Sequence, residues 1–339
     1  MHECQRIVRT VCWFARTPDP SVEMRLRAVR ARLVDHGFQV QTMRICCPRQ
    51  NPGELTDAYP ADDLLLSVGS VTFDTLPRFT TDLYASPRLF LNCDLSEETI
   101  GPAHGAALIE MAGCNPEATF RFTFTFQNSP SSPYFPSASY LRDGFAVGLQ
   151  PTNLASSCHT VDEWLERLRA IWHELVNLLS GPDFLGIDSS IAPLFEGPGS
   201  LVRLAEALGP GFEQAITTDF FLRITSFLRR ENPLPVGLCG LMFPCLEDFA
   251  LADEYESGRF SVERNLFLSL QSGLGIDTYP FGTDEPPERI AEILRLVQGL
   301  AHKHAKPLSV RLVTDGRARI GRRTDFRNPY LRDVTVRPL

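Results

Sequence analysis

Four carboxylates stand at or just past the ends of apolar stretches, the position at which α/β proteins usually bind ligands. Glu247 and Asp248 form an adjacent pair, whereas Asp188 and Asp277 are isolated. We predict that Glu247 and Asp248 do acid/base chemistry, because carboxylates in a cleft can take up and release protons. Asp188 and Asp277 are candidates for binding a divalent cation such as Mg²⁺, since hard cations choose oxygen ligands. The alternative for all four is helix capping and turn hydrogen bonding, for which Asp is well suited.

One cysteine, Cys239, lies in the GLCG segment at 237–240 and is a third catalytic candidate. A nucleophilic thiol needs a lowered pKa, however, and the neighbouring sequence contains no histidine that would lower it. The alternative is a small buried residue. The nine cysteines include no CxxC pair, which argues against both a zinc site and a disulfide framework.

Arginine seldom lies inside a strand unless it is paired, yet several predicted strands of this chain contain one. These residues are Arg9, Arg44, Arg121 and Arg311. One interpretation is that they form internal salt bridges with Asp188 and Asp277. We favour the second, in which their guanidinium groups bind a substrate carboxylate or phosphate through paired hydrogen bonds. Ser189 and Ser190, directly after Asp188, are further candidates for substrate binding.

Ten stretches with strand character must position these residues, and most of them are followed by a helical pattern. The strands are predicted at 7–14, 40–47, 64–71, 88–94, 119–126, 145–151, 184–188, from 234 onward, 273–279 and 307–313. Repeated alternation of strand and helix predicts parallel strands with the helices outside. We therefore predict an α/β fold in which ten strands close into one barrel of two five-stranded parallel halves. An open doubly wound sheet is the alternative.

The predicted barrel is a single domain whose halves cover about 1–126 and 145–313. The connection between them, 127–144, is rich in Pro and Ser and has no helical period. Because it supplies no crossover helix, the two halves can meet antiparallel, and a long ordered segment without regular structure is often functional. A basic tail, 314–339, follows, with a closing strand predicted at 332–337.

The fifth stretch, TFRFTFTF at 119–126, alternates between Phe and Thr or Arg. Successive side chains of a strand point to opposite faces of the sheet. The Phe face is therefore predicted to pack on helices, and the face with Arg121 is predicted to point into a polar interior.

Composition limits the classes of partner. The net charge is −8 and the pI about 5.5, which argues against nonspecific binding to nucleic acid or to an anionic membrane surface. The sequence has no run of about 18 apolar residues, and its start lacks the features of a secretory signal. We therefore predict a cytoplasmic protein.

Short segments along the chain carry a family resemblance. In order, they are VRT (8–10), VQTMRI (40–45), FRF (120–122), YFPSA (134–138), FAVGL (145–149), GIDSSIAP (186–193), GLCG (237–240), GID (275–277) and SVR (309–311). Over residues 7 to 326 the chain resembles the family of unknown function numbered 711, also called uncharacterised protein family 0210. That family is similar in fold to the pyruvate formate-lyase-like glycyl radical enzymes, so the resemblance implies a ten-stranded barrel and no particular reaction.

The chain departs from the family's pattern and looks like a divergent member. Cys239 and Leu246 stand where the family usually has serine, and a basic stretch replaces its glycine-rich C-terminal segment. Gly316 and Gly321 lie in DGRARIGRR, which does not resemble the motif that carries a glycyl radical. Radical chemistry is therefore not predicted.

The sequence favours an enzyme that acts on a small anionic metabolite in the barrel lumen, by carboxylate acid/base or Mg²⁺-assisted chemistry. The alternative is a non-catalytic binding or scaffold protein that retains the barrel. Convergence of the polar strand residues on one open cavity would favour the first, and a lumen plugged by Arg–Asp pairs the second. We also predict a homo-oligomer, a dimer.

Overall fold

The computed structural model describes residues 5–48 and 50–339, in which the strands and helices alternate as predicted. The strands are β1 (Arg6–Phe14), β2 (Phe38–Cys46), β3 (Leu64–Val71), β4 (Leu89–Asp94), β5 (Phe122–Phe126), β6 (Gly144–Leu149), β7 (Phe184–Asp188), β8 (Gly275–Pro280) and β9 (Leu308–Val313). The helices are α1 (Pro20–Asp35), α2 (Pro52–Ala58), α3 (Pro77–Ala85), α4 (Pro102–Cys114), α5 (Val161–Leu179), α6 (Leu201–Leu208), α7 (Phe212–Ala215), α8 (Phe220–Glu231), α9 (Phe249–Glu256), α10 (Val262–Gln271) and α11 (Pro287–His304). Short 3-10 helices cover Pro116–Arg121, Thr152–Ala155 and Gly197–Gly199.

All of these strands belong to one sheet, in the order β7-β6-β1-β2-β3-β4-β5-β9-β8. Strands β1 to β5 run parallel, and so do the pairs β6–β7 and β8–β9. The two halves of the chain meet antiparallel, at β1–β6 and at β5–β9. The α/β class and the parallel first half are therefore confirmed, and the antiparallel junctions agree with the missing crossover helix.

The predicted closed barrel of ten strands is not confirmed. Strands β7 and β8 are the edges of a nine-stranded sheet, and the stretch predicted as the eighth strand, from 234 onward, is irregular. Within the described residues it makes only isolated parallel bridges, such as Ile187 with Pro235 beside β7 and Pro244 with Asp277 in β8. No tenth hydrogen-bonded strand among them closes the sheet.

The backbone of segment 235–244 explains why it forms no ladder. Pro235 and Pro244 have no N–H to donate. Gly237 has φ +72° and Cys239 has φ +45°, both in the left-handed region that interrupts an extended run. The apolar composition of the segment predicts a strand, but composition does not reveal these turns.

The two faces of the sheet are covered differently. On one face the main core joins strands to helices, with Val11 of β1 and Trp164 of α5 fully buried in it. The other face, which we call the inner face, carries a smaller apolar cluster that contains Phe90 of β4 and Phe135. Phe135 belongs to the connection predicted at 127–144, so this irregular segment packs inside the sheet.

Strand β5 is shorter than predicted. Residues 119–121 lie in a 3-10 helix, and the strand begins at Phe122. The side chains of Phe122, Phe124 and Phe126 are at most 2% exposed and belong to the main core, as the alternation predicted. Arg121 precedes the strand, so it does not lie on the strand's polar face.

The basic tail 314–339 contributes residues 327–330 to the lining of a cavity on the inner face. The strand predicted at 332–337 is absent from it, and an isolated bridge joins Arg323 to Thr335. No helix in the described part of the chain combines the length and the apolar character that crossing a membrane requires.

Candidate functional site

A cavity of about 400 Å³ opens on the inner face. Strands, segment 235–244, the connection and the tail all contribute to its wall. Its charged lining residues are Arg9, Arg44, Glu117, Arg121, Glu247, Asp277, Arg311 and Arg327. Six of the eleven candidates from the sequence thus share one cavity, and the other five lie outside its lining.

Arg311 of β9 is the centre of a buried ionic cluster in this cavity. Its Nη2 lies 2.5 Å from Oε2 of Glu247, and its Nε lies 2.6 Å from Oδ1 of Asp277. Burial lowers the pKa of Arg311, but the two carboxylates outweigh burial and raise it above its ordinary value. For Glu247, burial raises the pKa, and the charge of Arg311 opposes that effect. Arg311 is therefore committed to these two carboxylates.

Arg44 of β2, unlike Arg311, is buried without a carboxylate partner among the described residues. Its side chain donates from Nε to Thr42 Oγ1 (3.2 Å) and from Nη1 to the Pro133 carbonyl (3.3 Å), and the guanidinium lies 5.0 Å from the ring centre of Phe135. The residue is 7% exposed, and in residues 5–48 and 50–339 no carboxylate forms an ion pair with it. Burial and then repulsion from Arg9 lower the pKa of Arg44 to about 10. A buried guanidinium without a counter-ion is costly.

Arg9 of β1 is placed in the cavity by a β-bulge. The pairing with β6 runs from Val8–Leu149 to Thr10–Gly148, so Arg9 is an extra residue in β1. Bulges re-aim side chains and are frequent beside active sites. Nη1 of Arg9 donates to the Gln41 side chain (3.1 Å), and no ion pair to it occurs among the described residues. Burial lowers the pKa of Arg9 as well.

Arg121 lines the cavity but uses its guanidinium elsewhere. Nη1 donates to the carbonyls of Leu83 and Ser86 (both 2.6 Å) and of Leu89 (3.1 Å). Leu83 lies in the last turn of α3, where helix carbonyls have no helical partner. Arg121 thus joins the end of α3 to β4, a structural role that the sequence did not suggest.

Asp188 is fully buried outside the cavity lining and is saturated with hydrogen bonds. Oδ1 accepts from Ser190 Oγ (2.6 Å), Ser190 N (3.0 Å) and Cys239 N (3.1 Å). Oδ2 accepts from Ser132 Oγ (2.7 Å) and Leu238 N (3.0 Å). These contacts hold segment 235–244 and the connection against the end of β7.

Ser189 and Cys239, two further candidates from the sequence, also form hydrogen bonds within the protein. The hydroxyl of Ser189 donates to the Leu228 carbonyl (3.1 Å), and the Cys239 thiol donates to the Val236 carbonyl (3.3 Å). Burial, followed by the charge of Asp188, raises the pKa of Cys239 to about 11. This thiol is protonated near neutrality, contrary to what a nucleophile needs.

Asp248 caps two helices. As the N-cap of α9 it accepts from Leu251 N (3.3 Å), and it also accepts from Leu201 N (2.8 Å) at the start of α6. Burial raises the pKa of Asp248 to about 6, and these hydrogen bonds oppose the rise. The capping alternative describes Asp248, whereas its neighbour Glu247 faces the cavity.

The acidic residues are poorly arranged for a metal ion. The described part of the chain holds no group of three or more His, Cys, Asp or Glu side chains suited to coordinate one. Glu247 and Asp277 share Arg311, so a cation between them would lie beside a guanidinium, which repels it. Asp188 already accepts five hydrogen bonds.

Comparison with known proteins agrees with the resemblance seen in the sequence. The family described as Uncharacterised ACR (DUF711) matches residues 102–327, more than half of the chain. The chain belongs to this family. A curated relative, the UPF0210 protein of Pyrobaculum arsenaticum (strain DSM 13514 / JCM 11321 / PZ6), is 27% identical over 161 residues, which are 46% of this chain. The chain covers 36% of that relative's length.

The DUF711 match divides the cavity into two parts. Glu247, Asp277 and Arg311 lie inside the matched range, whereas Arg9 and Arg44 precede it. The ionic cluster thus belongs to the part of this DUF711 member that the family describes. The two arginines without carboxylate partners belong to strands before that part.

Some cavity residues of this DUF711 member were not singled out by sequence reasoning. Tyr134 and Phe135 come from the connection, and Tyr330 comes from the tail. The unusual length of the connection without regular structure was a signal for the segment, but not for individual residues. Tyr330 stacks on Phe195 (ring centres 5.6 Å apart) and on Phe120 (6.4 Å), which also lines the cavity, and the sequence offers no signal for these contacts.

Proposed function

We propose that this protein is an enzyme that binds a small organic anion through Arg9 and Arg44 and moves a proton on it with Glu247. The observation that carries the proposal is a pair of cavity arginines, the buried Arg44 and the half-buried Arg9, that have no carboxylate ion-pair partner among the described residues and share the cavity with the buried carboxylate of Glu247. This supports the enzyme interpretation over a cavity plugged by ion pairs, because of the four arginines predicted from the sequence only Arg311 is ion-paired within the described residues.

Electrostatics supports an anion at this position. Burial, followed by repulsion from Arg9, lowers the pKa of Arg44. A carboxylate or phosphate between them would neutralise both charges and accept their remaining N–H groups, which arginine presents as a planar fork. The free-energy cost of holding these two arginines without a counter-ion would therefore be offset when the ligand binds.

Glu247 suits the role of acid or base. Its charge interacts with Arg9 and Arg44 as well as with Arg311 and Asp277, so it lies within electrostatic reach of the anion site. Burial raises its pKa toward neutrality, where a group exchanges protons most effectively. The same position beside Arg311 argues against a cation, so the proposed chemistry uses the protein's own groups.

Turnover of a metabolite mixture tests the proposal. We would incubate purified wild-type protein with a metabolite extract, recover bound compounds and follow depletion by mass spectrometry. Wild-type protein should deplete one anion, and Glu247→Gln should still retain that anion without converting it, since Gln keeps the shape but cannot transfer the proton.

The alternative is a non-catalytic binding protein. It would be supported if wild-type protein and Glu247→Gln both retained the same anion unchanged. Arg44→Gln should weaken retention in either case, and normal retention by that variant would contradict the anion site itself. Dimer formation and a cytoplasmic location stay predictions. The isolated bridges that segment 235–244 makes to Ile187 and Asp277 support a barrel-like enclosure of the cavity.

A further inference from the structure

The wall of the cavity next to Arg44 is apolar. Leu65 of β3 is the register partner of Arg44, and Phe90 lies on the following strand, β4. Phe135 joins them, because its ring centre is 5.4 Å from that of Phe90 and 5.0 Å from the Arg44 guanidinium. A charged site thus passes directly into an apolar surface.

Other apolar residues line the cavity as well. Leu238 and Met242 come from segment 235–244, and Leu274 directly precedes β8. Segment 235–244 is held in place by the hydrogen bonds of Asp188, so this wall does not depend on a free loop. The cavity therefore offers one anion-binding end and an apolar chamber.

A normally packed hydrophobic core would not contain a space of this size. Protein interiors are close-packed and contain few voids larger than a water molecule, whereas this apolar chamber belongs to a cavity of about 400 Å³. That volume is at the small end of ligand sites, which measure roughly 300 to 1,000 Å³. An apolar group of a ligand would gain free energy there, since it leaves water and meets apolar atoms.

We infer that the ligand of this cavity is an organic acid with an apolar body, whose anionic head binds Arg9 and Arg44 and whose alkyl or aryl part packs against Leu65, Phe90 and Phe135. The inference rests on the proposed function and narrows its substrate class. The head is a carboxylate or a phosphate, because guanidinium groups bind both in the same way.

Two homologous series of ligands test this inference by titration calorimetry. Straight-chain carboxylates from acetate to octanoate, and n-alkyl phosphates from methyl to hexyl, would be titrated into wild-type protein. Affinity should rise about three- to fourfold for each added methylene until the chamber is filled, as expected for burial of CH₂ groups. The series that binds more tightly identifies the head group.

Variants locate the apolar chamber. In Phe90→Asn the factor by which affinity rises for each added methylene should fall toward one. Leu65→Asn provides a second variant if the first does not fold. Phe267→Asn is the matched control, because Phe267 of α10 is exposed and lies outside the cavity lining. This control should keep the full dependence on chain length.

The outcomes separate the inference from the proposed function. Equal binding of short and long acids, with loss of all binding in Arg44→Gln, would overturn the apolar ligand and leave the anion site standing. A steep chain-length dependence that Phe90→Asn does not change would also overturn the placement. Binding of no acid of either series to the wild type would overturn both.

Discussion

Arg311 and Glu247 are 64 positions apart in the sequence, yet Nη2 of one lies 2.5 Å from Oε2 of the other in the wall of the cavity. Both side chains are about 90% buried, and Arg311 binds Asp277 as well. One guanidinium therefore forms ion pairs with two carboxylates that would otherwise repel each other in a poorly hydrated site.

Replacement of Arg311 should destabilise the protein in a pH-dependent way. Arg311→Gln leaves Glu247 and Asp277 without a counter-ion, at an expected cost of about 3–5 kcal/mol in the free energy of unfolding. The cost should be smaller at pH 5 than at pH 8. A buried carboxyl group with a raised pKa takes up a proton at acidic pH, and the penalty appears only as pH rises and the group ionises. Urea unfolding at the two pH values measures it.

The control for this prediction is Arg203→Gln. Arg203 forms exposed ion pairs with Glu206 and Glu196, and its loss should cost about 1 kcal/mol or less. The double variant Arg311→Gln/Glu247→Gln should recover part of the stability. Equal losses for Arg311→Gln at both pH values would contradict the buried cluster.

Asp248 should make the folded protein less stable as pH rises. Its pKa in the folded state is about 6 against an ordinary 3.8, so the folded state holds this proton more tightly than the unfolded state. This contribution is fully favourable below pH 4 and is lost by about pH 6 to 7, and it amounts to roughly 3 kcal/mol at 1.36 kcal/mol per pH unit. Asp248→Asn removes it, so between pH 4 and 7.5 the variant should gain stability relative to wild type.

Asp19→Asn is the contrasting control. Asp19 caps α1 on the surface, and hydrogen bonds from Ser21 lower the pKa of its carboxyl group. Its substitution should therefore act in the opposite direction, with the wild type gaining as pH rises. If Asp248→Asn behaves in the same way as Asp19→Asn, the hydrogen bonds from Leu201 and Leu251 outweigh burial.

The cavity arginines should differ in their effect on stability. Arg44→Met removes a buried charge that has no carboxylate partner, so the protein without ligand should melt at the same or a higher temperature. Arg121→Met removes the guanidinium donor from the buried carbonyls of Leu83 and Leu89, whereas the Ser86 carbonyl still accepts from Leu89 N, and each buried unsatisfied acceptor costs about 1–3 kcal/mol. Thermal unfolding of the two variants should move in opposite directions.

The rise in melting temperature on adding an anion provides a second measurement that distinguishes Arg44 from Arg121. A ligand that binds only the folded state raises the melting temperature, so the shift should vanish in Arg44→Met and persist in a folded Arg121 variant such as Arg121→Lys. A large loss of stability in Arg44→Met without ligand would show that Arg44 is a structural residue like Arg121.

Gly237 should be intolerant of any side chain. It has φ +72°, and a Cβ atom there would lie 2.3 Å from Oδ2 of Asp188. Gly37 has φ +80° but no atom within 4 Å of such a Cβ, so Gly37→Ala measures backbone strain alone, about 1–2 kcal/mol. Gly237→Ala should cost at least a few kcal/mol more in urea unfolding. Equal costs would mean that the contact with Asp188 is not rigid.

Much of the architecture could be predicted because its signals are local. Period-two alternation placed Phe122, Phe124 and Phe126 on the buried face, and the missing crossover helix after β5 allowed the antiparallel junctions. The closed barrel could not be decided in this way. Whether segment 235–244 pairs with both edges depends on backbone angles at Gly237 and Cys239 that are set by contact with Asp188.

By itself the sequence determined the α/β class, the family and six charged residues of the cavity lining, because residue type and periodicity are properties of neighbouring positions. The tertiary structure decided the role of each residue. Arg44 and Arg311 look alike in sequence, but only Arg311 meets carboxylates, and Asp248 turns toward helix ends while Glu247 faces the cavity. Ion pairing, burial and saturation with hydrogen bonds arise between residues far apart in the chain, so only the folded chain can assign them.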